Sequence, residues 1–375
     1  MTRIISLLQL GSGQVGSAVV RLVVSQASRW LAEYDLDVRY HALADSTAFV
    51  AGTIANRQRG PQLAPDQLAR LLALRAGGQH FAALPEAVAW PAWERVLDAA
   101  GDGAAAPQHL VVLDCASGPT TTPLLLAARA AGAHVVLANK DPLIGPLAQY
   151  HALADGDGHG SLRFSATVGA GLPVIAPLRA LTASGDRLLE LRAQASGSLG
   201  FICAALSGGA AFDAAVRQAG THGYTEPDAR QDLSGFDVAR KLLILARATG
   251  AGPELGDVRV ASLVPPGAQE LPAADFAAAL ASYSNHLADR VARAQASGRV
   301  LRYVARIDED GALSAGLQEL LPDDPLAQGR GPDNVFVLRT TRYRARPLVI
   351  AGPGAGIDVT AGAVVADLLR VVRVL

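Results

Sequence analysis

Apolar positions along this chain follow two alternating rhythms. Ile4 to Leu10, Asp37 to Ala44, His109 to Cys115 and His134 to Ala138 are short runs with the length and residue types of buried strands. Between them the apolar residues recur at helical spacing. Val20, Val23, Val24, Ala27 and Leu31 form one stripe of a helix opening at Val15, and Thr122 to Ala131 reads as a second, Ala/Leu-rich helix. Strand, helix, strand in this order predicts a doubly wound parallel sheet of the α/β class. Leu84 to Pro107, with Trp90 and Trp93, adds one more predicted helix and a loop.

The rhythm changes after the turn cluster Asp155 to Gly160, beyond which strands are separated by long amphipathic helices. That change places a domain boundary near 145 to 160. A second turn-rich stretch, Pro322 to Asn334, precedes a final strand and helix. The expected organisation is a parallel-sheet lobe over 1–145, an α+β lobe over 146–339, and a return of 340–375 to the first lobe.

At 375 residues the chain exceeds the roughly 250 to 300 at which single cores stop growing, in keeping with two lobes. Half of it is hydrophobic and 18% is charged, enough apolar surface to offset the entropy of folding and exclude disorder. Thirty-three basic against 34 acidic side chains leave a net charge of −1, with no basic run to displace counterions from a nucleic acid. The most apolar region, Pro123 to Ala138, is interrupted by Arg129 and His134 and falls short of the roughly 18 to 20 residues of a membrane span. Ile4 to Leu10 runs into a glycine loop rather than a signal-cleavage site, and Cys115 and Cys203 lack Cys-x-x-Cys spacing. The expectation is a cytoplasmic protein acting on a small molecule, without a nucleic-acid or membrane partner.

Gly11-Ser12-Gly13-Gln14-Val15-Gly16 follows a predicted strand and opens a predicted helix. In a Rossmann-type fold such glycines allow a tight turn, close approach of a pyrophosphate and helix packing, with the helix N-terminus facing the phosphates; the same six residues also suit a plain structural turn. Asp45 ends the second predicted strand. There a carboxylate accepts from the adenosine ribose hydroxyls and repels a 2′-phosphate, which favours NAD over NADP, while a solvated surface Asp fits the same position. Arg57 and Arg59 keep NADP open. Asn139 and Lys140 sit just past the fourth strand, at the sheet edge where ligands bind in doubly wound folds, although a lone lysine there is usually just solvated.

The densest polar constellation is Gly223 to Asp228, followed by Asp232, Asp237 and Lys241. Asp237 and Lys241 are four apart on one face of a predicted buried helix, an arrangement that is either an ordinary ion pair or a proton donor beside its carboxylate. Glu226 and Asp232 add anionic acceptors suited to a substrate amino group, and the lysine suits an oxygen that gains charge on hydride transfer.

Taken with Val168-Gly169-Ala170-Gly171-Leu172-Pro173, Ser184-Gly185-Asp186, Asp232 to Lys241, and Pro347 to Gly356 with Val359-Thr360-Ala361, these blocks give a chain that resembles the homoserine dehydrogenases over nearly its whole length. The resemblance implies NAD(P)H-dependent reduction of L-aspartate 4-semialdehyde to L-homoserine, the branch step toward threonine and methionine, on a Rossmann-type domain plus a catalytic and dimerisation domain. Carried over by position, it implies Lys241 as acid/base with Asp237 orienting it and Lys140 assisting. It further implies Glu226, Asp232, Tyr224, Gly197 and Ser198 around the substrate. Gly11, Gly13, Gln14, Val15, Gly16, Asp45, Ser117, Asn139, Gly356 and Thr360 would lie on the cofactor, and the chain would form a homodimer through strands before residue 340.

Three positions depart from the family pattern. Many members bind a monovalent cation through a Glu and backbone carbonyls; here Ser165 stands at the Glu position, with Val168, Ala170 and Leu172 left to offer carbonyls. Gly197-Ser198-Leu199-Gly200 replaces Gly-Thr-x-Asn, and Asp114-Cys115-Ala116-Ser117 replaces Asp-x-Thr-Ser. The chain also ends at Leu375 without the amino-acid-sensing extension of many relatives, so threonine feedback through that module is not expected. These departures keep open a related dehydrogenase acting on another small amino or hydroxy aldehyde, and a non-catalytic NAD(P)-binding sensor. Against the sensor stand Lys140, Asp237 and Lys241, a proton-donor group that a binding module has no use for.

Overall fold

In a computed structural model that describes residues 2–52, 62–101, 109–155, 160–329 and 331–374, the short apolar runs become the strands of a first sheet. These are β1 (Arg3–Leu10), β2 (Leu36–Ala44), β3 (Ala48–Ala51), β4 (Val88–Ala89), β5 (His109–Asp114), β6 (His134–Leu137) and β7 (Leu162–Arg163), in the spatial order β4-β3-β2-β1-β5-β6-β7. β1, β2, β5, β6 and β7 are parallel, and β3 and β4 extend one edge antiparallel. Residues of the central strands are buried on both faces, which is why they read as continuous apolar runs. In register, Leu10 pairs with both Ala44 and Asp114, and Asp114 with Leu137. The residues that follow, Gly11, Asp45, Cys115 and Ala138, therefore leave the sheet at one edge.

The helix Gln14–Tyr34 covers one face of this sheet together with the last helix, Ile357–Val374; Val19, Val20 and Val23 share a core with Val364, Leu368 and Val371. The expected stripe on the first helix is rotated in the structure. Val24 and Leu31 are exposed, and Trp30, seven residues beyond Val23, continues the buried face instead. Helices also form at Thr122–Ala130 and Trp93–Gly101.

The second sheet is built from β8 (Leu188–Gln194), β9 (Arg259–Val260), β10 (Val300–Ile307), β11 (Leu313–Leu320), β12 (Asp333–Thr340) and β13 (Leu348–Pro353), in the order β13-β12-β8-β10-β11-β9. All its pairings are antiparallel except β9 with β11. The helices Gly197–Ser207, Phe212–Thr221, Phe236–Ala248 and Ala273–Ala296 belong to the same unit, so its fold is α+β.

Both expected boundaries move. The first unit is Met1–Gly171 with Gly356–Leu375, and the second is Leu172–Ala355. The boundary expected near 145 to 160 falls within the first unit because β7 pairs with β6, and residues 156–159 of the turn cluster lie outside the described residues. The return begins at Gly356 rather than 340 because β12 runs to Thr340 and β13, which follows, pairs with it in the second sheet. Among the described residues no helix is long and apolar enough to cross a membrane.

Candidate active site

In the first unit a cleft of about 250 Å³ opens at the C-terminal edge of the sheet, lined by Gly11, Ser12, Gly13, Asp45, Ser46, Arg75, Trp90, Cys115, Ala116, Ser117, Thr120 and Thr121. Gly11 has φ +89°, and a Cβ there would lie 2.6 Å from the backbone of Cys115 and Ala116. Gly16 lets the helix pack on the loop, since a Cβ there would meet the Gly11 carbonyl. Gly13 faces open space, and the buried Ser12 hydroxyl has no hydrogen-bond partner. A tight turn, an open glycine and an orphaned hydroxyl at a helix N-terminus fit a dinucleotide pyrophosphate.

Of the residues expected on the cofactor, Gly11, Gly13, Asp45 and Ser117 lie on this wall, and Gln14, Val15, Gly16, Asn139, Gly356 and Thr360 do not. Asn139 is a bracket. Its Nδ2 donates to Asp114 Oδ2 at 3.1 Å and to the Gly118 carbonyl at 2.8 Å, while its Oδ1 accepts from the Asp141 N–H. Asp114 also accepts from Thr121 and from the Ala116 N–H, yet burial, aided by the nearby Asp141 charge, raises its carboxyl to about 6. Lys140, half-buried, follows this bracket. Thr360 gives both its N–H and its hydroxyl to the Gly356 carbonyl at the start of the last helix. Burial pushes the Cys115 thiol far up, so it stays protonated and is no nucleophile.

Asp45 sits at the end of β2, but its side chain is only 1% exposed. Oδ1 accepts from Thr47 N, Thr47 Oγ1 and Ala48 N, and Oδ2 accepts from Phe81 N at 2.8 Å, with His80 at 3.1 Å and Arg75 at 3.6 Å. Burial acts to raise this carboxyl, and the hydrogen bonds from Thr47, Phe81 and Ala48 outweigh it and hold it below its ordinary value. Arg57 and Arg59 lie outside the described residues.

The second unit gathers the other expected group. Lys241, on the helix Phe236–Ala248, places Nζ 2.8 Å from the Ala195 carbonyl, just past β8, and 2.9 Å from Asp237 Oδ2 one turn away. Its side chain is 13% exposed while that of Asp237 is 47% exposed. Ser196 caps the helix Gly197–Ser207 by accepting from Leu199 N. Ser198, in its first turn, donates to Asp232 Oδ1 at 2.7 Å, and Asp232 Oδ2 accepts from the Glu226 N–H at 2.9 Å. The Glu226 carboxylate is exposed, and the Tyr224 ring packs on Phe201 and His222. The amide absent at Gly200 is replaced in space by Gln194, whose Nε2 lies 2.8 Å from where a Gly200 Cβ would be.

The position of the expected side-chain ligand, Ser165, is committed elsewhere. Ser165 donates its N–H and hydroxyl to Asp367, whose charge is met by Arg370 at 2.7 Å. The Leu172 carbonyl accepts from the Val174 N–H. Val168 and Ala170 are left without an anionic ligand from this group, so no cation enters the chemistry below. Four further residues of the cleft, Ser12, Ser46, Arg75 and Trp90, were not expected there. Ser12 lay inside the recognised motif, but Arg75 is far from Asp45 in sequence and no spacing marks it.

The chain matches the family profile described as homoserine dehydrogenase over residues 173–369 and that described as homoserine dehydrogenase, NAD binding domain over 11–161. It is 36% identical over 284 residues to a homoserine dehydrogenase of Emericella nidulans, covering 72% of this chain and 77% of that one. It is 40% identical over 264 residues to the chloroplastic bifunctional aspartokinase/homoserine dehydrogenase 2 of Zea mays, covering 69% of this chain but 29% of the relative. The chain thus spans about three-tenths of the bifunctional relative's length. A solved structure of a Candida auris protein of unknown function superposes with TM-score 0.82 at 29% identity, over 99% of this chain and 98% of that one.

Proposed function

Because the chain belongs to the homoserine dehydrogenase family, we propose that it interconverts L-aspartate 4-semialdehyde and L-homoserine with an NAD(P) cofactor, at the branch toward threonine and methionine. The observation that carries this reading is the Lys241 ammonium, largely buried and fixed between the Ala195 carbonyl and Asp237. An ammonium has three N–H bonds. Two are directed at protein acceptors, and the third is the proton we assign to the substrate.

A nicotinamide cofactor held along the wall of Gly11 and Gly13 would supply the hydride that the aldehyde carbon accepts. As the C=O π pair moves onto oxygen, Lys241 gives that oxygen its proton, and the alcohol forms with one hydride and one proton added. Asp237 orients the ammonium throughout. Glu226 pairs with the α-ammonium of the substrate, held in place by its backbone bond to Asp232, which Ser198 in turn anchors. Tyr224 and Gly197 shape the same pocket, and Lys140 assists beside the cofactor. In this reading Asn139, Gly356 and Thr360 support the cofactor through the backbone they fix. The enzyme acts in the cytoplasm as a homodimer; the edge of β11, of which only Ser314 and Ala315 pair with β9, suits a second copy.

The test is NAD(P)H formation from L-homoserine at alkaline pH by wild type and Lys241→Ala. The variant should lose about 10²- to 10⁴-fold in kcat and keep dinucleotide binding. A folded, dinucleotide-binding wild type that leaves homoserine untouched would overturn the assignment. Turnover of another small aldehyde would then favour the related dehydrogenase, and none at all the sensor.

A further inference from the structure

We infer that Phe201 and His222 are positioning residues for substrate recognition: their rings clamp Tyr224, and through it the segment that carries Glu226. The inference rests on the reading of Glu226 as the acceptor of the substrate α-ammonium. Residues 222–229 run between the helices Phe212–Thr221 and Arg230–Leu233, and the Glu226 carboxylate stands exposed among them. Backbone bonds hold the two ends of this run: the Tyr224 N–H donates to the Ala219 carbonyl, and the Gln231 N–H to the Asp228 carbonyl. Between them the Glu226 N–H is held by the Asp232 side chain. One hydrogen bond fixes a point, whereas a carboxylate that must meet an ammonium at one place needs its backbone fixed in direction as well.

The rings supply that second hold. Tyr224 and His222 lie stacked, with centroids 5.6 Å apart and planes 14° from parallel, because Gly223 between them turns at φ +70°. Phe201 tilts against both, 5.1 Å from Tyr224 and 5.5 Å from His222. His222 Nδ1 lies 2.8 Å from the Gln218 carbonyl one turn back, which fixes its ring on the end of the helix Phe212–Thr221. Phe201 is three residues beyond Ser198 on the helix Gly197–Ser207, so the two share a face. That face grips the segment twice: Ser198 through Asp232 to the Glu226 N–H, and Phe201 through the Tyr224 ring, two residues before Glu226. Tyr224 keeps 37% of its exposure and His222 is exposed, so the cluster encloses little of the core. What it adds is the pairing of aromatic faces, which is worth a modest factor in an equilibrium and is spent here on the place of Glu226.

The test is a double-mutant cycle on L-homoserine oxidation by the full chain at saturating cofactor, pairing Phe201→Ala and His222→Ala each with Glu226→Gln. Either ring deletion alone should raise KM for L-homoserine about three- to tenfold and leave kcat within about twofold of wild type. Glu226→Gln should raise KM by more, and adding a ring deletion to it should raise KM little further, because the rings act through that carboxylate. Phe201→Tyr and His222→Phe keep the aromatic faces and should restore KM to within about twofold of wild type. Because His222 is exposed, its variants report on the clamp independently of how Phe201→Ala folds. Ring deletions that leave KM unchanged where Glu226→Gln raises it, or whose effects add in full to that of Glu226→Gln, would overturn the inference. A fall in kcat as large as the rise in KM would assign the rings to the fold at large and overturn it too. A KM unmoved by Glu226→Gln itself would instead remove the reading of Glu226 on which the clamp depends.

Discussion

The Ser198 hydroxyl donates to Asp232 at 2.7 Å across 34 residues of sequence, and the other oxygen of that carboxylate holds the backbone of Glu226. One acidic side chain thus ties the start of a helix to the segment carrying the proposed ammonium-binding carboxylate. Asp232 is better understood as the organiser of Glu226 than as a second direct ligand.

Ser198→Ala leaves an oxygen of Asp232 without its donor and loosens Glu226. The expected result is a KM for L-homoserine raised about five- to twentyfold, with a smaller change in kcat. Steady-state kinetics at saturating cofactor measure it, and an unchanged KM would detach Ser198 and Asp232 from substrate recognition.

Asp114 makes stability depend on pH in a defined direction. Its carboxyl titrates near 6 in the folded chain against 3.8 ordinarily, so the folded state binds more protons between those values. That contribution is fully present below pH 3.8 and is lost as pH rises through about 6. Asp114→Asn does not titrate. Relative to wild type, its unfolding free energy should therefore improve by about 2.4 kcal/mol between pH 4 and pH 7. Urea denaturation of both proteins across that range tests the sign as well as the size.

Gly11 and Gly13 are two residues apart and should respond differently to alanine. Gly11→Ala places a Cβ against the backbone of Cys115 and Ala116 at a positive φ, and should cost about 2 kcal/mol or more of stability. Gly13→Ala meets nothing within 4 Å, so its melting temperature should match wild type while dinucleotide affinity falls. Calorimetry paired with a binding titration separates the two.

Ser165 and Asp367 bear on the monovalent cation that the family resemblance implied. Because their carboxylate and hydroxyl are committed to each other and to Arg370, replacing potassium and sodium by choline at constant ionic strength should leave the initial rate unchanged. A rate that fell on removal and recovered on adding back either ion would show that backbone carbonyls alone suffice.

The first sheet was legible in the sequence because its strands are buried on both faces, so each reads as an unbroken apolar run ending where a functional loop begins. Lys241 and Asp237 were legible for a similar reason: helical spacing alone sets their distance. Arg75 was not, since it approaches Asp45 only through the packing of a helix whose own sequence says nothing about the cleft. Asp45 was legible in its position but not in its bonding. Its position at the end of β2 is what the ribose role requires, but its partners Thr47 and Phe81 redirect it, and hydrogen bonds to backbone N–H groups leave no mark on composition or periodicity. The boundary near 145 to 160 moved because the pairing of β7 with β6 is a long-range contact that Gly and Asp content does not announce.

The first unit is closed by two segments far apart in sequence. Arg3 donates to the Val372 carbonyl at 2.8 Å, and Ser165 is bound to Asp367. On the ribosome, which adds about 5 to 20 residues per second, β1 emerges tens of seconds before the helix that completes its core. The second unit, whose residues are contiguous, is made in full during that wait. Vectorial synthesis therefore favours the later lobe finishing first, and leaves the dinucleotide-binding lobe with an uncovered apolar face until the helix Ile357–Val374 arrives.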